Sequence, residues 1–372
     1  MRENKRGEFS GNEENKRKRT GKILTLAAVL AASMMMGCSS SNQDVKAQEQ
    51  PETAIQDMGK SSEAIPTDIT LIMANAAPVS DVNHMYQYCQ KFKELVEEKS
   101  GGRIGIEIHP NGELGGERDL VEGVQLGTVD ICFVASAPLG NFVPDTLAFD
   151  FPFLFWDFEH VEKVMGGEIG DDIAAQIESQ AGVKFLSWGV NGFRHFCNNV
   201  KPVKSPEDIK GMKIRTMENK IHMETFSALG TDPTPMGTGE LYTALQQGTV
   251  DGQENPLSNI VSSCFYEVQK YLSLSNHIYS TSVFVFSDKC WDSLTEEQQN
   301  LVYECAEEAK QVTRDLTESM DEEYLQTCID AGMEVNEIDV EAFREASQPV
   351  WDYYESEYGS ELVDLVRSAQ AS

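Results

Sequence analysis

Four polar side chains stand at the ends of strands that the hydrophobic pattern predicts, which is where ligands bind in open α/β sheets. Asn75, Ser136 and Asn255 each follow a predicted strand, and Arg215 closes another. A guanidinium presents paired N–H donors that fit a carboxylate in two parallel hydrogen bonds. The sequence therefore predicts a cradle for an organic anion in a cleft, where a dry ion pair both holds and orients the ligand.

Each of these candidates also has a purely structural interpretation. Arg215 could pair at the surface with one of the 61 Asp and Glu residues, and Asn255 could serve the turn before Pro256. Glu117 and His84 stand on predicted helices and could be ordinary helix-face residues. The residue types alone leave these alternatives open.

The sequence lacks the motifs that mark common catalytic and cofactor sites. It contains no H-E-x-x-H, no G-x-S-x-G and no P-loop, and Gly237-Thr238-Gly239 lacks the third glycine of a dinucleotide fingerprint. The six histidines are scattered and no C-x-x-C is present, so the pattern predicts no metal site and no cofactor. Binding without catalysis is the simplest interpretation, and an enzyme stays open as the alternative.

Composition places the chain among soluble acidic proteins. It has 372 residues, 40% of them hydrophobic, and a formal net charge of -31. Residues 1–22 hold eight Lys or Arg against four Asp or Glu, so the rest of the chain holds 22 against 57. An acidic body of this kind argues against a nucleic-acid partner, because such proteins carry basic patches.

The basic head leads into a targeting segment. The apolar run Ile23–Met36 is too short to span a bilayer, which needs about 20 residues, but it fits a signal-peptide core. Small residues before Cys38 resemble a bacterial lipoprotein processing site. We predict a signal peptide over 1–37, lipid attachment at Cys38 and a flexible tether over 38–66, with an outer-face or periplasmic location. The alternative is a plain secretory signal with an incidental cysteine.

Helices and strands alternate along the body, which is typical of an α/β sheet domain. The sequence echo Val124–Asp130 and Leu245–Asp251 predicts two lobes of similar build, because each copy carries a glycine, Gly127 or Gly248, where a helix must end in a left-handed residue.

We expect lobe I over 67–191 plus roughly 281–320, and lobe II over 192–280 plus roughly 321–372. A capping-box spacing at Ser293–Glu296 and an apolar stripe after it predict a long helix to about residue 331.

Several stretches in the same order resemble one known family, the extracytoplasmic solute-binding proteins of tripartite ATP-independent (TRAP) transporters, of the DctP type. The resemblance covers roughly residues 69 to 290. The matching stretches are Phe92–Arg103, Pro110–Arg118, Gly123–Asp130, Phe151–Phe155, Gly211–Arg215, Pro233–Met236 and Asp251–Pro256.

The resemblance implies a two-lobed, periplasmic-binding-protein-like fold with hinge strands and a long helix spanning both lobes. It implies that Arg215 pairs with a substrate carboxylate, that Asn255 positions that carboxylate and that Arg194 provides a second basic contact. Glu117, Ser136, Asn75 and Met217 complete the candidate binding residues. Thr238 stands where some members carry an aromatic wall, so this sequence departs from the family there.

The same resemblance implies a function in transport rather than catalysis. The protein would capture a sugar acid such as a hexuronate and deliver it to two membrane subunits that use an ion gradient. A C4-dicarboxylate or another carboxylate is the alternative ligand. A tethered surface enzyme that acts on sugar acids is the alternative class. The stretch Phe133–Ser136 lacks the acid that the sialate-binding branch carries, which disfavours sialic acid.

Overall fold

The computed structural model describes residues 68–369, and these form the body that the sequence predicts. The signal peptide, Cys38 and the tether lie outside the described residues, so those assignments stay predictions. Within the described part, no helix is both long enough and apolar enough to cross a membrane.

Ten strands form the sheet of the described region. They are β1 (Ile69–Ala74), β2 (Ile104–His109), β3 (Ile131–Ala135), β4 (Val183–Asn198), β5 (Lys213–Thr216), β6 (Asp232–Pro235), β7 (Gly252–Pro256), β8 (Tyr271–Leu274), β9 (Tyr279–Ser287) and β10 (Glu334–Glu337).

Fourteen α-helices surround these strands in the same region. They are α1 (His84–Lys99), α2 (Glu117–Leu126), α3 (Phe158–Met165), α4 (Glu168–Gln176), α5 (Pro206–Ile209), α6 (Lys220–Ala228), α7 (Thr238–Gln247), α8 (Leu257–Ser262), α9 (Asp288–Trp291), α10 (Glu296–Asp315), α11 (Asp321–Asp330), α12 (Val340–Ala346), α13 (Gln348–Tyr358) and α14 (Glu361–Ser368).

Strand β4 is common to both lobes. Its first part, Val183–Phe193, pairs with β9 in a sheet that continues through β3 and β1 to β2. Its last part, Arg194–Asn198, pairs with β7 and β8, and β7 leads on to β5 and β6. A second crossing runs through residues 275–278, between β8 and β9. The predicted two-lobed α/β fold with hinge strands is thus confirmed.

The two glycines of the sequence echo end their helices as predicted. Gly127 closes α2 at φ 71° and Gly248 closes α7 at φ 67°. Both values lie in the left-handed region, where a Cβ would be strained.

The predicted long helix is present as two consecutive helices, α10 and α11, with a turn over 316–320. The Thr317 hydroxyl donates to the Thr313 carbonyl at 2.7 Å, while the Thr317 backbone N–H shifts to the Arg314 carbonyl. A side chain that takes the i−4 carbonyl competes with the helix, which gives a reason for the interruption. The helix begins at the cap Thr295, whose box partner is Gln298, two residues later than predicted.

The C-terminal helices pack against both lobes. Phe343 of α12 lies in the core cluster that contains the lobe II residues Phe196 and Ile214. Val350 of α13 and Val363 of α14 lie instead in the cluster that fills lobe I. That cluster also contains Ile221 of α6, which lies within the predicted lobe II, and the predicted lobe boundaries stay predictions.

The first residue of α1, His84, is a buried histidine in this core. Its side chain has no exposed surface, and its ring nitrogens have no hydrogen-bond geometry to another described residue. Burial lowers the pKa of His84 to about 3, and the neighbouring Asn191 acts weakly in the opposite direction. The ring is therefore neutral in the folded protein at any pH near neutrality.

We expect His84 to make the protein less stable in mild acid. In the unfolded chain a histidine has a pKa near ~6.5, so between pH 6.5 and 3 the unfolded state binds the extra proton and the free energy of unfolding falls as pH falls. From pH 7.5 to 5 the loss is about 2 kcal/mol for this group. In His84→Gln, urea unfolding at the two pH values should show a smaller loss. An identical loss in the variant would contradict this assignment.

Candidate functional site

The two lobes touch where β3 and β5 end. Ala135, Ala137 and Met217 form a small buried cluster across this contact. The side-chain amide of Asn219 donates to the Ala137 carbonyl at 2.7 Å. The carboxyl ends of strands from both lobes thus face one shared space, as expected for a ligand cleft.

Arg215, at the end of β5, is a buried guanidinium in this space. Its residue exposure is 1%, and its Nε and Nη2 atoms donate to the Met236 carbonyl at 2.8 and 2.6 Å. Among the described residues no carboxylate forms an ion pair with it. Burial lowers the pKa of Arg215 to about 10, with a further lowering from the positive charge of Arg194. The group stays charged at neutral pH, and an anion would relieve the cost of burying that charge.

Arg194, on β4, is by contrast held by the protein itself. Its Nε and Nη2 atoms donate to the carboxylate of Glu254, which is fully buried. Nη2 also reaches the Glu254 carbonyl at 2.6 Å and the Asn255 side-chain oxygen at 3.3 Å, and Nη1 donates to Ser280 at 3.1 Å. The charge of Arg194 is therefore already neutralised by Glu254. Its predicted direct contact with a ligand stays a prediction.

Glu117, Thr238 and Asn255 line one narrow cavity of about 20 Å³, together with Ala76 and other residues of both lobes. Two of these residues come from lobe II: Thr238 is the first residue of α7, and Asn255 lies near the end of β7. Glu117 is the first residue of α2 in lobe I. Burial raises the pKa of Glu117, although the positive charge of Arg215 opposes the rise. Glu117 can consequently donate as well as accept hydrogen bonds over a wider pH range than an exposed glutamate.

The other three predicted contacts are engaged within the protein. The side chain of Asn75 accepts from the Ala77 N–H and donates to the Cys89 sulfur. Ser136 shares a 2.5 Å hydrogen bond with the Thr281 hydroxyl. Met217 packs in the small cluster between the lobes. These side chains shape the walls beside Arg215, and their predicted roles as ligand contacts stay predictions.

A buried network of titratable side chains surrounds the Arg194–Glu254 pair, and the sequence patterns do not predict it. His277 and His222 lie 3.4 and 3.7 Å from the Glu254 carboxylate, and His222 lies 3.3 Å from Asp150. Burial alone would raise the pKa of Glu254, but Arg194 and the two histidines hold it well below its usual range. Burial opposes protonation of His222, yet Asp150 and Glu254 raise its pKa. The members are spread over 128 positions of chain, from 150 to 277, so no local spacing could reveal them.

A wide cleft leads from solvent toward these groups. It has a volume of about 750 Å³ and shares Ala76 with the narrow cavity. One arginine, Arg118, stands in its wall, together with the four acids Asp119, Glu122, Glu218 and Glu240. The wall of the cleft is thus mainly acidic. Met236, whose carbonyl accepts from Arg215, belongs to the same wall.

The chemistry available here is that of binding. Among residues 68–369, no group of three His, Cys, Asp or Glu side chains is arranged to hold a metal ion. The narrow cavity is lined by an amide, a carboxyl and a hydroxyl, and the charge of the Arg215 guanidinium acts on the same carboxyl, Glu117. Such groups recognise carboxylates and hydroxyls.

Comparisons with known proteins identify the family of this chain. A sequence model of the DctP family, bacterial extracellular solute-binding protein family 7, matches residues 75–357. A solute-binding protein of Verminephrobacter eiseniae is 41% identical over 280 residues, which cover 75% of this chain and 83% of that protein.

Solved structures show the same fold. The crystal structure of a TRAP periplasmic solute-binding protein from a Polaromonas species, bound to D-erythronate, matches with a TM-score of 0.79 at 39% identity, covering 82% of this chain and 100% of that one. Another, from a Sulfitobacter species with bound β-D-galacturonate, has a TM-score of 0.77 at 33% identity and covers 80% and 99%. The chain therefore belongs to the DctP family of bacterial extracellular solute-binding proteins, the substrate-binding components of TRAP transporters, as its sequence resemblance indicated.

Proposed function

We propose that this protein captures a sugar acid between its lobes and that the ligand carboxylate pairs with Arg215. The observation that carries the proposal is the burial of this guanidinium with a backbone carbonyl as its acceptor and no carboxylate partner among the described residues. A charge in such a place is costly unless it is paired, and two parallel N–H···O bonds to a carboxylate would pair it.

The remaining groups fit the rest of a sugar acid. Asn255 and Thr238 offer amide and hydroxyl groups to the narrow cavity, and Glu117 offers a carboxyl that can accept from hydroxyls. Arg194 acts as a positioning residue, because it holds the side-chain oxygen of Asn255 while the Asn255 amide donates one N–H to the Gln253 side-chain oxygen at 2.5 Å. The second N–H of that amide is the one proposed for the ligand. Two structural relatives were solved with D-erythronate and with β-D-galacturonate, and both are hydroxylated carboxylates.

A monocarboxylate is favoured over the alternative C4-dicarboxylate. A second carboxylate needs a second cation. Arg194 is already paired with Glu254, and Arg118 in the cleft wall is paired with Glu122. Nearer the entrance, Asp119 and Glu240 would repel it. Hydroxyl groups carry no charge and meet no such repulsion.

Capture fits the site better than catalysis. Of the side chains near the narrow end, Ser136 is bonded to Thr281 and Glu254 to Arg194. Neither pair presents a nucleophile next to a general base in the described residues. The lobes would instead close over the ligand by bending at β4 and at residues 275–278, and the closed form would be delivered to the membrane subunits.

We also propose that the mature protein is tethered to the outer face of the cell membrane through Cys38. The support is the short apolar run that ends before this cysteine and the extracellular family to which the chain belongs.

Calorimetric titration tests the proposed ligand. We expect the wild type to bind galacturonate or D-erythronate and to bind succinate more weakly. Arg215→Ala should weaken binding of the same sugar acid at least a hundredfold, since losing one member of a buried charged pair costs about 3–5 kcal/mol. Arg215→Lys should fall in between, because it keeps the charge without the paired donors.

The exposed Arg103 provides the matched control, and Arg103→Ala should bind like the wild type. Stronger binding of succinate than of either sugar acid would make the dicarboxylate interpretation the right one. An Arg215→Ala variant that binds within twofold of the wild type would place Arg215 outside the site. Product formed from the sugar acid after prolonged incubation would point to an enzyme.

Salt should accelerate capture. An acidic entrance on a chain of net charge -31 repels an anion as it approaches, and salt screens that repulsion. Stopped-flow association rates for galacturonate should therefore rise severalfold between low and high salt. Glu218→Gln should raise the low-salt rate more than Glu345→Gln, which makes the same charge change on α12. A rate that falls with salt would mean that attraction, and not repulsion, governs entry.

The anchor is tested by cell fractionation. The wild-type protein should sediment with membranes and extract into detergent, whereas Cys38→Ser should be found in the soluble fraction. Intact mass should show the added lipid on the wild type alone. A wild-type protein that is soluble and carries no added mass would leave the plain secretory signal as the correct interpretation.

A further inference from the structure

A second concave site lies outside the ligand cleft, where the C-terminal helices meet the segment that precedes α3. It has a volume of about 310 Å³. We call it the hinge pocket and define it by Phe153, Trp156, Arg344, Gln348, Trp351 and Arg367. None of these residues lines the cleft or the narrow cavity described above.

The walls of the hinge pocket belong to different lobes. Arg344 follows Phe343, which is part of the lobe II core. Trp351 and Arg367 stand on α13 and α14, whose buried side chains join the core cluster that fills lobe I and also includes Ile221 of α6. The pocket therefore changes shape if the lobes rotate relative to one another.

The segment that carries Phe153 is strained at this place. Phe153 has φ of 58°, a left-handed conformation that a bulky side chain rarely adopts. Its N–H donates to the carbonyl of His277, which lies in the second crossing between the lobes, at 2.7 Å. Its ring packs against the lobe II core. The neighbouring Phe151 and Leu154 pack instead in the lobe I cluster. Backbone strain of this kind persists where the surroundings impose it, often at ligand clamps and switch regions.

Two guanidinium groups face the hinge pocket, each on an aromatic surface. Arg367 stacks 3.8 Å from the Trp351 ring centre, and Arg344 lies 5.0 Å from that of Trp156 and 5.7 Å from that of Phe153. Stacking uses the faces of the guanidinium groups and leaves their N–H edges available.

These two arginines are weakly neutralised in a chain that is otherwise rich in acids. Among the described residues no carboxylate forms an ion pair with Arg367. The nearest acid to Arg344 is Glu341, at 3.8 Å, and its side chain is 75% exposed. Exposed pairs at that distance contribute little, so the pocket keeps a positive character.

We propose that the hinge pocket is a second binding site of this protein, for a small carboxylate on a flat aromatic body. Its carboxylate would take N–H donors from Arg344 and Arg367, and its ring would lie against Trp156 and Phe153. The concave shape and the volume of 310 Å³ suit such a ligand. Because the walls come from both lobes, its occupancy is coupled to their relative orientation and hence to capture in the cleft.

The test uses the full-length chain and 2-naphthoate as the probe, followed by calorimetry and by ligand-detected NMR. We expect the wild type to bind 2-naphthoate at least tenfold more tightly than the neutral 2-naphthalenemethanol. Arg344→Gln and Arg367→Gln should each weaken 2-naphthoate at least tenfold, while Arg103→Gln should stay within twofold. Both pocket arginines are partly exposed, and circular dichroism will show that the variants are folded.

Arg215→Ala separates this proposal from the proposed function. The variant should lose the sugar acid and keep 2-naphthoate. Failure of the wild type to bind 2-naphthoate, loss of 2-naphthoate in Arg215→Ala, or unchanged binding in both pocket variants would each overturn the second site. Saturating 2-naphthoate should also shift the Kd for galacturonate at least threefold, and an unchanged Kd would overturn the coupling.

Discussion

The cost of a buried, unpaired positive charge is the constraint on which this site depends. Arg215 is almost fully removed from water, and its strongest described interactions are with one carbonyl, that of Met236. A carbonyl dipole compensates a full charge only in part. The part of the burial cost that the carbonyl does not offset is relieved when an anion pairs with Arg215. This relief contributes to the affinity of the protein for its ligand. The fold must therefore keep this group dry and aimed without supplying an acid of its own.

The neighbouring ion pair shows how the fold meets that requirement. Arg194 and Glu254 neutralise each other on β4 and β7, and Glu254 also draws His222 and His277 around it. Glu254 is thereby engaged by Arg194 and by two histidines, and it forms no ion pair with Arg215 in the described residues. Since β4 belongs to both lobes, the same pair lies next to the strand that must bend when the lobes move. A buried ion pair at that point keeps its two charges neutralised and away from water while the lobes turn.

Local patterns in the sequence predicted what local physics determines. Gly127 and Gly248 were predicted as left-handed helix ends because no other residue adopts that conformation as easily, and both are. The apolar stripe predicts one long helix where the structure has two, α10 and α11. Such a stripe indicates which side chains are buried, but it does not reveal that the Thr317 hydroxyl donates to a backbone carbonyl. Arg215 could be found from its place at a strand end.

The partner of Arg194 could not be found in this way, because Glu254 lies sixty positions along the chain and is one of 61 acids.

Selectivity follows from where the charges are as much as from how many there are. The wall of the cleft is mainly acidic, and Arg194 is neutralised by Glu254. Arg215 is buried and has no carboxylate partner among the described residues. A ligand with one carboxylate can pair with that guanidinium and then present only neutral hydroxyls to the acids behind it. A ligand with two carboxylates must place the second near Asp119, Glu218 and Glu240, because Arg118 in the same wall is already paired with Glu122. An added negative charge there meets repulsion. The acids that slow the arrival of every anion are thus also the groups that distinguish one anion from another once it is bound.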